Sequence, residues 1–251
     1  AACAVAIGCS SDSSLPRYRG APASDAPDEQ TEAPPPSPGL KPLSALYDEG
    51  VALVKNELGP DVLPDETAGR AIVDTIALKL SSRLFMENDP VRIAEELRKI
   101  VFEERAIAFD REANSLAAMS PYATAQRGQG SCLGISLLLI ILGQKVDAPL
   151  SAVLAPEHMF VRIERGETRI NLEPIKDGET RSDGWYRERY DVGENSWYYP
   201  LRNLAHEEAA GVYFYNLGNV MREKGNAAGA VRSYRRATEL FEDYPVARGN
   251  L

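Results

Sequence analysis

The stretch Gly128-Gln129-Gly130-Ser131-Cys132-Leu133-Gly134-Ile135-Ser136-Leu137-Leu138-Leu139-Ile140-Ile141-Leu142-Gly143 decides how the rest of the chain is read. From Cys132 onward it is apolar nearly all round a helical wheel, which predicts a central buried helix rather than a surface one. Gly128, Gly130 and Ser131 mark a tight turn and a cap just before it. The helix therefore opens on a thiol. A helix N-terminus offers backbone N–H groups and the positive end of the macrodipole, both of which favour a thiolate. The same N–H groups can hold an oxyanion when a carbonyl is attacked. The plainer alternative is a buried cysteine acting as a small hydrophobe, but such a residue has no need of a glycine-flanked helix start.

Towards the C-terminus the pattern turns to strands, near residues 152–154, at 158–163 and at 168–172. Arg165-Gly166 is expected to be the hairpin turn between the last two. A hairpin about that pair sets His158 opposite Glu173, on one face with Phe160, Arg162 and Asn171. Directly opposite residues have Cβ atoms about 4.5–5.5 Å apart, near enough for a carboxylate to hold an imidazole. A one-residue slip would undo this by turning side chains to the other face. A thiol nucleophile needs a base, and of the two histidines only His158 falls in the same predicted core. His206 is read as a surface or packing residue at a domain junction. An ordinary half-buried hairpin with polar residues outward is the competing reading of this segment.

Gly-Ser-Cys at a helix start, His158 at a strand start and Glu173-Pro174 at the end of the next strand together resemble the transglutaminase-like family of papain-type thiol enzymes. The resemblance covers residues 115–174 well and the helices before them loosely. It implies a catalytic triad of Cys132, His158 and Glu173, with Asn171 in support. The family more often carries Asp in the third place, so Glu173 is a departure that lengthens the orienting contact. Gln126 stands six residues before Cys132, the spacing of an oxyanion-hole glutamine in papain-type enzymes, and Gln129 competes with it for that role.

On the N-terminal side, residues 43–109 have helical spacing: Leu43, Leu46, Tyr47 and Val51, then Ile72, Ile76, Leu80 and Leu84. Asp89-Pro90 is a specific start signal, cap then first helical position, for a third helix bearing Ile93, Leu97, Ile100 and Val101. Residues 10–40 are rich in Ser, Ala and Pro and are expected to be a disordered tether. Residues 1–9, ending in Gly8-Cys9 before Ser10-Ser11, resemble the tail of a bacterial lipoprotein signal peptide. Cys9 is then the expected lipid-bearing residue, in preference to Cys3, and the protein is expected to be exported and lipid-anchored on the periplasmic side of a bacterial envelope. A leftover tail with meaningless cysteines is the alternative.

Beyond the strands, Asn216-Leu217-Gly218-Asn219 recurs 34 residues on as Asn250-Leu251, with Gly225, Ala230, Tyr234, Ala237 and Leu240 between them. This resembles one tetratricopeptide repeat over residues 214–247, with Glu242 where such repeats usually carry Pro. One repeat cannot bury its apolar face alone, so it is expected to lean on the preceding domain or on further repeats.

Composition bounds the function. With 28 Lys and Arg against 37 Asp and Glu, the 251-residue chain carries a net charge of −9 and no basic run, which excludes nucleic acid as a natural partner. Two histidines far apart and no paired cysteines in the folded part leave no metal site, and no cofactor is expected. Gly128-Gln129-Gly130 lacks the Lys and spacing of a phosphate loop. The expected fold is α+β, with a transglutaminase-like domain at 41–205 and a repeat segment at 206–251. The expected activity is attack of Cys132 on an amide or peptide carbonyl, with hydrolysis favoured over acyl transfer. The expected partners are a protein or peptide substrate, a protein bound by the repeat and the membrane through its lipid. The alternative is a non-catalytic lipoprotein scaffold.

Overall fold

A computed structural model of the chain describes residues 41–110, 115–193 and 199–250. Cys3, Cys9 and the tether at 10–40 lie outside the described residues. The first three helices, α1 (Leu43–Leu58), α2 (Thr67–Arg83) and α3 (Pro90–Arg98), arise where the apolar spacing puts them. Asp89 caps α3 by accepting from the Val91 N–H at 3.0 Å, with Pro90 at the first helical position. The helix runs on as a π-helical turn, Lys99–Glu104, that tucks Ile100, Val101 and Phe102 into the core. Val51 and Ile72 are only half-buried, at the margin of that core.

The segment leading to Cys132 is more ordered than its glycines suggest. Strand β1 (Ala108–Phe109) pairs in parallel with β2 (Gln129–Gly130), a pairing the sequence reading did not include. Between them run α4 (Leu116–Met119) and α5 (Pro121–Arg127), each opened by a serine cap, Ser115 and Ser120. Next comes α6 (Cys132–Lys145), buried at every residue from Cys132 to Gly143.

The sheet is antiparallel, with strands in chain order: β3 (Leu150–Ala155), β4 (His158–Arg165), β5 (Thr168–Glu173) and β6 (Glu179–Arg181). This mixed architecture agrees with the expected α+β class; β6 was not foreseen. Met159, Val161 and Ile163 of β4 join the main core with α6, while Phe160 joins a separate small cluster with Val153, Ala155, Tyr186, Val192 and Leu201. Helix α7 (Asp183–Arg189) lies on that second face, so the competing reading of a half-buried hairpin with polar residues outward does not hold.

The hairpin differs in register from the expectation. The strands pair Arg165 with Thr168, Arg162 with Asn171 and Val161 with Leu172, so the turn is Gly166-Glu167 rather than Arg165-Gly166. Gly166 takes φ +57, the left-handed conformation that the first position of a two-residue hairpin turn requires. The register is displaced by two residues, which preserves every residue's face because the side-chain period is two. His158 and Glu173 therefore share a face but are not directly opposite.

At the C-terminus α8 (His206–Glu223) and α9 (Ala227–Leu240) form a helix hairpin, followed by the short α10 (Pro245–Arg248). Gly218 permits their close approach, since a Cβ there would lie 2.5 Å from the Tyr234 ring. The pair leans on α1: the Tyr213 ring packs against Tyr47 at 5.0 Å with the planes tilted 33°, and Arg236 meets Glu49 at 2.6 Å. One apolar core runs from Leu43 to Ala247 across the junction at 205–206. His206 packs there with Gln144 at 2.7 Å.

Candidate active site

Local capping fixes Cys132. Ser131 donates twice to the Ala118 carbonyl, from its backbone N–H at 2.9 Å and its hydroxyl at 3.0 Å. The same hydroxyl accepts from the Gly134 N–H at 3.1 Å, capping α6. Gly134 is needed for this, because a Cβ there would lie 2.2 Å from the Ala118 oxygen. The residue after the cap is Cys132, fully buried and not disulfide-bonded.

A tight turn and a strand place the imidazole. Ala155 pairs with His158 across Pro156-Glu157, with Glu157 at φ +57, so His158 is the first residue of β4. Its Nε2 lies 2.9 Å from Glu173 Oε2, and both side chains are fully buried. Glu173 ends β5, and its Oε1 accepts from the Ile175 N–H at 3.0 Å as Pro174 turns the chain away. Nε2 is taken by the carboxylate, and Cys132 also interacts with the ring and pushes its pKa up. Burial lowers the His158 pKa, but the Glu173 charge and the bonds to Cys132 and Glu173 outweigh it and push it up to about 9. At neutral pH the ring is then an imidazolium, with the Glu173 carboxylate and Cys132 as its neighbours.

Aromatic rings enclose the imidazole. Tyr190 stacks on it at 4.7 Å with planes 7° apart, and Phe160 stacks on Tyr186 at 3.6 Å. The Tyr186 hydroxyl is turned towards Glu173 without reaching hydrogen-bond geometry; burial and the carboxylate charge push the phenol's pKa up. The run Trp185-Tyr186 with Tyr190 was the sequence signal for this wall, and the sequence reading left it unused.

Asn171 goes elsewhere. Its Oδ1 accepts from Arg162 Nε at 2.7 Å, and its amide donates to Asp183 at 2.7 Å. The buried Arg162 also binds Asp183 at 2.6 Å and the Leu201 carbonyl at 2.8 Å. Asn171 thus steadies the Arg162 cluster rather than the imidazole. Gln126, near the end of α5, and Gln129, in β2, are both exposed, whereas Cys132 is buried.

A family model described as the transglutaminase-like superfamily matches residues 67–195, a little over half of the chain and including Cys132, His158 and Glu173. The chain belongs to the transglutaminase-like superfamily. Members of this superfamily are commonly cysteine peptidases or acyltransferases. No match is found among curated proteins or among solved structures. The transglutaminase-like match ends before α8, so the C-terminal helix pair lies outside it.

Among the described residues, no group of three or more His, Cys, Asp or Glu side chains could hold a metal ion. Among them, too, no helix is long and apolar enough to cross a membrane. A pocket of about 140 Å³, lined by Leu154, Tyr199, Arg202 and Phe241 among others, includes none of Cys132, His158 and Glu173.

Proposed function

We propose that this chain is an exported, lipid-anchored cysteine enzyme that attacks an amide or peptide carbonyl through Cys132. The observation that carries the reading is the imidazole of His158 held between Glu173, at 2.9 Å, and the thiol at the start of α6. The thiol proton rests on His158, giving a thiolate–imidazolium pair that the helix N-terminus favours. The thiolate attacks the carbonyl carbon, and the oxyanion is met by N–H donors around the first turn of α6. His158 then returns the proton to the leaving amine while Glu173 keeps the ring oriented and offsets its charge. The acyl-enzyme passes to water, giving hydrolysis, in preference to an amine.

The pair α8–α9, read as a tetratricopeptide repeat, serves as a seat for a protein partner, and Cys9 carries the lipid that ties the chain to the envelope. Cys9→Ser in the full-length protein is expected to move it from the membrane to the soluble fraction. Retention by Cys9→Ser with release by Cys3→Ser would show that the lipid sits on Cys3.

Full burial of all three residues favours a second reading, a scaffold that keeps the fold without catalysis. Iodoacetamide labelling of Cys132 as a function of pH separates the two. The enzyme reading expects labelling well below the ~8.5 of a free thiol, together with loss of amide hydrolysis in Cys132→Ala. Labelling only after denaturation, with no hydrolysis lost, leaves the scaffold. Ammonia release measured against amine incorporation on a glutamine-containing peptide decides between hydrolysis and acyl transfer.

A further inference from the structure

Cys132, His158 and Glu173 are each fully buried, so in this conformation no acyl donor can reach the sulfur. The cover over the imidazole is not uniform. Met159, Val161 and Ile163 of β4 belong to the large core with α6, which cannot open without unfolding the domain. On the other face lie α7 and residues 190–192, resting on the small separate cluster around Phe160 and Tyr186. Elements that rest on few buried apolar contacts open at lower free energy than the main core does. Of the rings near His158, Tyr186 and Phe160 are fully buried, whereas Tyr190 is partly exposed and lies parallel to the imidazole.

The attachments of this cover are polar. Arg162 NH2 binds Asp183 Oδ1 at the first residue of α7, and Arg162 NH1 binds the Leu201 carbonyl beyond it. Arg169 reaches the other Asp183 oxygen at 2.9 Å. Leu201 is held at φ +52, a conformation that a bulky residue keeps only when its surroundings enforce it. Just past Tyr190, Asp191 is also left-handed at φ +52, and Gly193 has nothing packed where a Cβ would be. The backbone after Tyr190 is tied to α7 itself, through Val192 N–H to the Arg187 carbonyl at 2.9 Å and Arg187 to the Gly193 carbonyl at 3.1 Å, so α7 and residues 190–193 can move as one part on the Arg162 latch.

We propose that α7 and the Tyr190 ring that follows it form a gate over the thiol centre, latched by the Arg162–Asp183 ion pair and opened to admit an acyl donor. The proposal rests on the reading of Cys132 as nucleophile given above. Closed, Tyr190 shields the His158–Glu173 pair from water and holds the ring plane. Opening moves the ring off the imidazole and uncovers the thiol centre from the His158 side, while α6 stays folded. Thiol modification then proceeds at the intrinsic rate multiplied by the fraction of molecules open.

The test is the rate of Cys132 alkylation by iodoacetamide at one near-neutral pH, in the full chain and in Tyr190→Phe, Tyr190→Ala and Asp183→Asn, with circular dichroism confirming the fold. Tyr190→Phe keeps the stacked ring and should match the parent. Removing the stacked ring in Tyr190→Ala should speed alkylation about two- to tenfold, and Asp183→Asn should shift it in the same direction. A parent thiol that reacts as fast as that of Tyr190→Ala, or a Tyr190→Ala thiol that stays silent until denaturation, overturns the gate. The pH dependence of the same rates keeps the two ideas apart. Faster labelling in Tyr190→Ala with an ordinary thiol pH profile supports the gate and sinks the thiolate reading. A low-pH labelling profile in the parent with no gain in rate in Tyr190→Ala supports the thiolate and sinks the gate.

Discussion

His158 and Glu173 meet across a diagonal of the β4–β5 hairpin, not across a rung. The ladder pairs Val161 with Leu172, yet His158 Nε2 and Glu173 Oε2 are 2.9 Å apart. Diagonal neighbours have backbones about 7–8 Å apart, within reach of long side chains only. Glutamate in place of the family's more frequent aspartate is therefore what this register needs. Glu173→Gln is expected to keep the fold and lower turnover by about 10²–10⁴-fold, because an amide cannot offset the imidazolium charge. Glu173→Asp, one methylene shorter, should lose at least about tenfold. Steady-state kinetics checks both, and an aspartate variant with parental turnover would contradict the diagonal contact.

The His158 pKa of about 9 sets a pH window. A folded-state pKa raised above the ordinary 6.5 means the native state binds the proton more tightly than the unfolded chain does. The stability this contributes is full below 6.5 and is lost as pH rises through about 9. Urea midpoints followed across that range should fall, and they should fall less in Glu173→Gln. Turnover should decline on the same alkaline limb as the imidazolium loses its proton.

Gly134→Ala should damage stability and site together. The added methyl would lie 2.2 Å from the Ala118 oxygen and 2.8 Å from Thr124 Oγ1, and the first is backbone that cannot yield. A loss of roughly 1–3 kcal/mol is expected from such overpacking. Since Ser131 is tied to the same carbonyl, Cys132 should shift as well and alkylate at a different rate. Urea denaturation and labelling read the two effects, and a variant unchanged in both would refute the close packing.

Glu66 should matter more than a helix-start carboxylate normally does. It is buried and accepts from the Tyr47 hydroxyl at 2.5 Å and from Ser120, whose own oxygen caps α5. Burial, then the neighbouring Tyr213 and Glu66, push the Tyr47 phenol's pKa up, so the hydroxyl stays protonated and donating. Glu66→Ala strands two buried hydroxyls and should cost roughly 2–4 kcal/mol, against about 1 for Tyr47→Phe. Equal urea midpoints for the parent and Glu66→Ala would show that the cluster contributes nothing.

The sequence by itself determined the parts whose causes are local. An all-round apolar run bounded by Ser131 and glycines can only be a buried helix with its thiol at the N-terminus, and Asp89-Pro90 can only start a helix. The strands at 158 and 168 follow from their spacing, and even the wrong turn kept His158 and Glu173 on one face, because a two-residue shift conserves the pleat. Tertiary structure decided what depends on partners distant in sequence. Whether the turn centres on Gly166-Glu167 is settled by how β4 packs on α6 and β3, not by the turn residues alone. The pairing of β1 with β2 joins residues about twenty apart, which no local pattern encodes. Asn171 went to Arg162 because a buried guanidinium must satisfy its donors wherever acceptors converge, here on Asp183 and the Leu201 carbonyl. The burial of the thiol centre under Tyr190 has the same origin, since a ring thirty-two residues further on covers the histidine only once α7 has folded across the sheet.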